Sequence, residues 1–148
     1  EQQHLPQCIT HLQNQKYPPA RVEFILVNDR STDATASIIE EAAKSDQRFK
    51  GLTITDRLPD FAPKKRAIDL AIRQAAGEII CLTDADGRPK PGWLKSIISY
   101  FDEETDMVIG YAPYNIRPAG HWVKRLLALE YLSHAAVAAA STGLGYPA

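Results

Sequence analysis

Apolar positions early in the chain fall at helical spacing. Leu5, Ile9 and Leu12 mark residues 4–15 as an amphipathic helix, closed by Pro18 and Pro19. Val22 to Val27 (VEFILV) is a short apolar run rich in β-formers and predicts a strand buried on both faces. A polar turn follows, Asn28-Asp29-Arg30-Ser31, and then a helix from about Asp33 to Lys44 with Ile38, Ile39 and Ala42 inward. Leu52 to Thr55 reads as a second strand. Pro63 suits the first turn of a helix that turns Ala67, Ile68, Ala71, Ile72 and Ala75 inward and stops at Gly77 as a C′ cap. Glu78 to Thr83 (EIICLT) predicts a third strand, Pro91 opens a helix through Phe101, Met107 to Tyr111 predicts a fourth strand, and Trp122 to Ala140 a last helix.

Strands alternating with helices predict an α/β fold, a mostly parallel sheet with helices on both faces. In such sheets ligands bind outside the carboxyl ends of strands. Two predicted strands run into acidic loops there, Val27 into Asn28-Asp29 and Thr83 into Asp84-Ala85-Asp86.

Composition narrows the picture. A chain of 148 residues suits a single domain, 1–148, with a real core. The formal net charge of −1 gives no global field for nucleic acid, so an anion site must be a local cluster. Cys8 and Cys81 form no disulfide framework and no metal-ligand spacing; read as reduced core thiols, they suit a cytoplasmic compartment. Neither a signal peptide nor an apolar run long enough to span a bilayer is visible.

The acidic loops carry the candidate chemistry. A turn can bring Asp84 and Asp86 around one point, where their mutual repulsion is relieved by Mg²⁺ or Mn²⁺. Such an ion takes one or two protein carboxylates and fills its shell with water and phosphate oxygens, so a diphosphate is a natural partner. Taken alone, the tripeptide reads better as a solvated turn before Gly87. Asp29 could accept a hydrogen bond from a base N–H or a ribose hydroxyl; capping of the next helix accounts for Ser31, Thr32 or Asp33 and does not need Asp29. Lys64, Lys65 and Arg66 occupy a first helical turn, where cations oppose the helix dipole unless an anion binds nearby. Arg57 lies just upstream and could join them. Three solvated surface side chains are the equal alternative. The glycine pattern at Gly143-Leu144-Gly145 follows no strand and is set aside, and His4, His11, His121 and His134 share no spacing that unites them.

In this order and spacing, VNDRSTDAT (27–35), KKRAIDLAIRQAAGEIICLTDADGRPKPGWL (64–94) and MVIGY (107–111) resemble the large inverting glycosyltransferase family that includes cellulose, chitin and hyaluronan synthases. The resemblance covers residues 22–111 well and implies a GT-A-type, Rossmann-like fold whose nucleotide-sugar-binding part is about 22–112. It implies a UDP-sugar donor, transfer with inversion to a sugar or lipid acceptor, and a full-length protein at the cytoplasmic membrane face. It further implies that Asp29 contacts the base, Lys64 and Arg57 the diphosphate, Asp84 the ribose, and Asp86 the metal. Arg30 stands where the family usually has glycine, and Asp69 where it has asparagine. Members begin with a strand before the first helix and place the catalytic base in a later motif. The expectation is therefore a base beyond Ala148 and a chain that binds donor without completing transfer, Glu130 being the one alternative within it.

Two other classes compete. A haloacid-dehalogenase-type phosphatase would use Asp84 as nucleophile and Asp86 as general acid, but Arg88 replaces the expected hydroxyl and the 27–35 and 64–77 segments go unexplained. A calcium loop starting at Asp84 would carry Pro89 and Lys95 where glycine and glutamate belong. A non-catalytic nucleotide-binding module is the third alternative.

Overall fold

The structure, a computed structural model, describes residues 1–56, 62–110 and 122–143. The chain divides into two compact units, Glu1–Asp106 and Met107–Ala148.

The first unit contains α1 (Leu5–Gln13), a short 3₁₀ turn (Pro19–Arg21), β1 (Phe24–Asp29), α2 (Thr35–Ser45), β2 (Phe49–Ile54), α3 (Pro63–Gln74) and α4 (Trp93–Ile98). The apolar stripe of α1 is buried as its spacing requires, with Leu5, Cys8, Ile9 and Leu12 all inside. β1 and β2 are parallel, with Phe24 opposite Phe49 and Asp29 opposite Ile54. Parallel neighbours need a crossover, and α2 supplies it, packing on both strands. Phe24 and Phe49 stack at a centroid distance of 4.8 Å. Around them gather the α1 stripe, Ile39 and Ala42 of α2, and Leu94 of α4. Gly51 faces α2 so closely that a Cβ there would sit 2.8 Å from the Ile39 Cγ2, which explains a glycine inside a strand.

Buried Gln15 clamps α1 to the far end of the unit. Its Nε2 donates to the Lys90 carbonyl at 2.9 Å and its Oε1 accepts the Leu94 N–H at 3.2 Å, capping the first turn of α4.

The α/β class and the parallel sheet stand, but the described sheet has two strands rather than four. Glu78–Thr83 forms no ladder among the described residues; Ile79, Ile80 and Leu82 are exposed, and Cys81 alone of its apolar side chains packs on the core. An apolar run becomes a strand only where a neighbouring edge is offered in register, and this one meets none among the described residues. Met107–Gly110 likewise forms no strand, with Met107 and Ile109 exposed; Tyr111 lies outside the described residues. α3 ends at Gln74, not at Gly77: Ala75 is already extended, and the Ala76 N–H is taken by Glu23 Oε1 at 2.6 Å. The other Glu23 oxygen accepts from Lys50 at 2.6 Å, so one carboxylate ties the strand region to the chain leaving α3.

The second unit contains α5 (Trp122–Gly143), 22 residues whose apolar positions fall without a one-sided pattern. No helix among the described residues is long and apolar enough to cross a membrane.

Candidate functional site

The carboxyl end of the sheet carries the first half of the site. Because Asp29 pairs with Ile54, the chain leaving β2 brings Asp56 out at the same end. Buried Asn28 accepts the Ser31 N–H on its Oδ1 at 3.1 Å and so closes the turn. The turn holds Arg30 at φ 56, the left-handed region. Arg30 turns back on Asp29 with two bonds, Nε to Oδ1 at 2.7 Å and Nη2 to Oδ2 at 3.2 Å. The Arg30 hydrogen bond holds the Asp29 carboxyl below its ordinary pKa. Further on, the N-cap of α2 is Ala34 rather than Ser31, Thr32 or Asp33, and Asp33, one residue ahead of it, accepts the Thr35 N–H on its Oδ1 at 3.0 Å.

The second half is the acidic turn. Ala85 and Asp86 form its corner, and the Gly87 N–H donates to the Asp84 carbonyl at 2.9 Å. Only glycine fits at 87: a Cβ would collide with the Thr83 hydroxyl and stand 2.9 Å from the Asp84 carbonyl. From α1, the buried Cys8 Sγ lies 3.8 Å from that same carbonyl, a weak thiol donation. Burial, and then the charge of Asp86, push the Cys8 thiol pKa up, which keeps the proton on sulfur.

The first turn of α3 reaches toward both halves. Lys64 Nζ meets Asp84 Oδ1 at 2.7 Å, with both side chains mostly in water. That bond, Asp84's charge and, more weakly, the charge of Asp86 raise the Lys64 pKa. Arg66 donates to both the Asp56 carbonyl and its carboxylate, and its charge also reaches Asp29. The Arg66 bond lowers the Asp56 pKa. Lys65 is exposed. Two of the three cations of this turn are thus matched by carboxylates of the chain, in the place an anionic ligand would take.

Of the residues singled out from sequence, Lys64 and Asp84 are in direct contact, Asp86 shares the turn with Asp84, and Asp29 stands at the end of β1. Arg57 lies outside the described residues. Asp56 and Cys8 are the site neighbours that sequence reasoning missed; Arg66, named with the basic first turn, takes Asp56 as its partner. For Cys8 a signal existed, since it falls on the same helical face as Leu5, Ile9 and Leu12.

Among the described residues, no group of three or more His, Cys, Asp or Glu gathers around one point. Asp84 and Asp86 form a carboxylate pair on one exposed turn. That donor set fits a hard cation whose shell is finished by water and phosphate oxygens, and does not fit a closed zinc-type centre.

The sequence matches glycosyl transferase family 2 over residues 1–141. It is 29% identical over 113 residues to an uncharacterized glycosyltransferase of Haemophilus influenzae, covering 76% of this chain and 33% of that protein. It is 29% identical over 108 residues to the glycosyltransferase GlyG of Streptococcus pneumoniae, covering 72% of this chain and 34% of that one. A beta-monoglucosyldiacylglycerol synthase of Nostoc sp. is 30% identical over 94 residues, 64% of this chain and 20% of its own. The chain thus spans about a third of the length of the first two of these relatives.

Proposed function

The chain belongs to glycosyl transferase family 2, and from that premise we propose that its first unit binds the nucleotide-sugar donor, with UDP as the nucleotide, for transfer with inversion. The observation that carries the reading is the Lys64–Asp84 contact at 2.7 Å. It joins a basic first helical turn to an acidic turn 20 residues away, and α3, which bears Lys64, packs on the strand that ends at Asp29.

The roles follow from charge and position. Lys64 exchanges its bond to Asp84 for one to the donor diphosphate; an ion pair this exposed is cheap to give up, and a diphosphate carries more charge than one carboxylate. Asp84, released, accepts from the ribose hydroxyls. Asp29 accepts from the base. Asp86, with help from Asp84, holds Mg²⁺ or Mn²⁺, which when bound offsets the charge developing on the leaving diphosphate. Inversion also needs a general base at the acceptor hydroxyl, a role outside those given to Asp29, Asp84 and Asp86. The acceptor is a sugar or a lipid; the name of the Nostoc relative favours a lipid, met at the cytoplasmic face of a membrane.

Isothermal titration with UDP, with Mn²⁺ and with Mn²⁺ removed by chelator, tests the reading. Binding is expected to depend on the metal in the parent and to lose that dependence in Asp86→Ala. Heats no larger than dilution on folded protein with Mn²⁺ would sink the donor-site reading. Metal-dependent UDP binding that survives Asp86→Ala unchanged would sink the metal assignment alone.

A further inference from the structure

The bidentate Asp29–Arg30 pair stands at the carboxyl end of β1 in a conformation that favours glycine. Arginine at φ 56 carries the steric cost of a Cβ in the left-handed region. A strained non-glycine residue persists where its side chain contributes something that the strain permits. Here the turn aims the guanidinium back along the strand end, onto a residue adjacent in sequence. The fork uses two of its N–H groups on Asp29 and leaves others to donate, while each Asp29 oxygen keeps a second lone pair. Asp29 holds the guanidinium by these two bonds, and the charge of Asp56 adds a weaker attraction. The result is a fixed edge with an acceptor and a donor side by side.

We infer that Arg30 is a specificity-determining residue, and that the Asp29–Arg30 pair selects a nucleobase presenting an N–H next to a carbonyl. Uracil and guanine have that edge; adenine and cytosine offer an amino group next to a bare ring nitrogen, which sets donor and acceptor the other way round. Asp29 accepts the ring N–H, and Arg30 donates to the neighbouring carbonyl. Reversed bases leave the fork facing an amino group and the carboxylate facing a ring nitrogen, two unpaired contacts that cost affinity. This inference rests on the donor-site reading given above.

Competition titration of UDP, GDP, ADP and CDP with Mn²⁺ tests it, on the parent, Arg30→Gly and Arg30→Lys, with inorganic pyrophosphate as the base-free probe. The parent is expected to favour UDP and GDP. Arg30→Gly, which removes the fork and suits the backbone, should cut that preference by about tenfold or more while pyrophosphate binding stays level. Arg30→Lys keeps the charge without the fork and should lose the preference as well. It is the second variant if the glycine substitution disturbs the turn. A parent that prefers ADP or CDP, or a ranking of bases unchanged in both variants, overturns the role of Arg30 and leaves the donor site standing. A parent that binds none of the four diphosphates overturns the donor site, and this inference with it.

Discussion

Lys64 and Asp84 present most of their side chains to water, 75% and 70% exposed, so their attraction is heavily screened and holds little of the fold together. Lys64→Ala should therefore leave the melting temperature where it is. Its effect belongs to ligand binding: UDP affinity should fall by about tenfold or more while uridine affinity holds, because Lys64 is assigned to phosphate and not to base. Parallel titrations of the two ligands decide this; equal losses for UDP and uridine would move Lys64 to a structural role. Asp29 and Lys64 were legible in sequence because each lies at a strand or helix end, and Asp84 and Asp86 because the acidic turn before Gly87 is a short motif in which local chemistry dominates. Arg30 was legible only as a departure from a pattern. Its φ of 56 and its grip on Asp29 arise in the local turn closed by Asn28; the glycine it replaces marks the backbone conformation, while the side-chain grip has no spacing to announce it. Cys8 and Asp56 entered the site through tertiary structure, by packing of α1 and register of β2.

Elements with their own periodic stripe were readable with boundaries off by a few residues, as α1 and α2 show. The apolar runs without alternation were not. VEFILV found a partner in β2 and became a strand; EIICLT, of similar make-up, found none and left Leu82 61% exposed. Composition is nearly equal in the two cases, and what differs is whether another strand edge lies alongside. The break of α3 before Gly77 has a similar origin, since Glu23 captured the Ala76 N–H from 53 residues away. Gln15 likewise secures an element end from a distance, and its buried position makes it expensive to lose. Gln15→Ala strands the Leu94 N–H and the Lys90 carbonyl, each formerly paired. An unfolding free energy lower by about 1–3 kcal/mol is expected, measured by urea melts at constant m-value. A loss below a few tenths would mean water replaces the amide freely.

At the scale of the molecule, the first unit supports its two half-sites differently. Asp29 leaves a parallel ladder backed by α2 and the Phe24–Phe49 stack. Asp84 and Asp86 sit on a turn held by one backbone bond, the Cys8 thiol, the exposed Lys64 pair and the packing of the small Ala85 side chain on the core. The ladder side also closes a short loop of chain through one crossover, so it has the contacts to form early and open late. Amide exchange reads this contrast directly. In deuterated buffer, the peptide covering residues 24–29 should take up label on the slow timescale of whole-unit opening, and the peptide covering 81–90 far sooner. Addition of UDP with Mn²⁺ should slow the second peptide and scarcely move the first. Equal uptake in both before ligand would show that the turn is as well anchored as the sheet. The contrast has a thermodynamic side: ligand that must quiet a restless turn against a still strand end spends part of its interaction energy on that ordering, so binding should grow more exothermic and less favourable in entropy than contact with a preformed cleft would be.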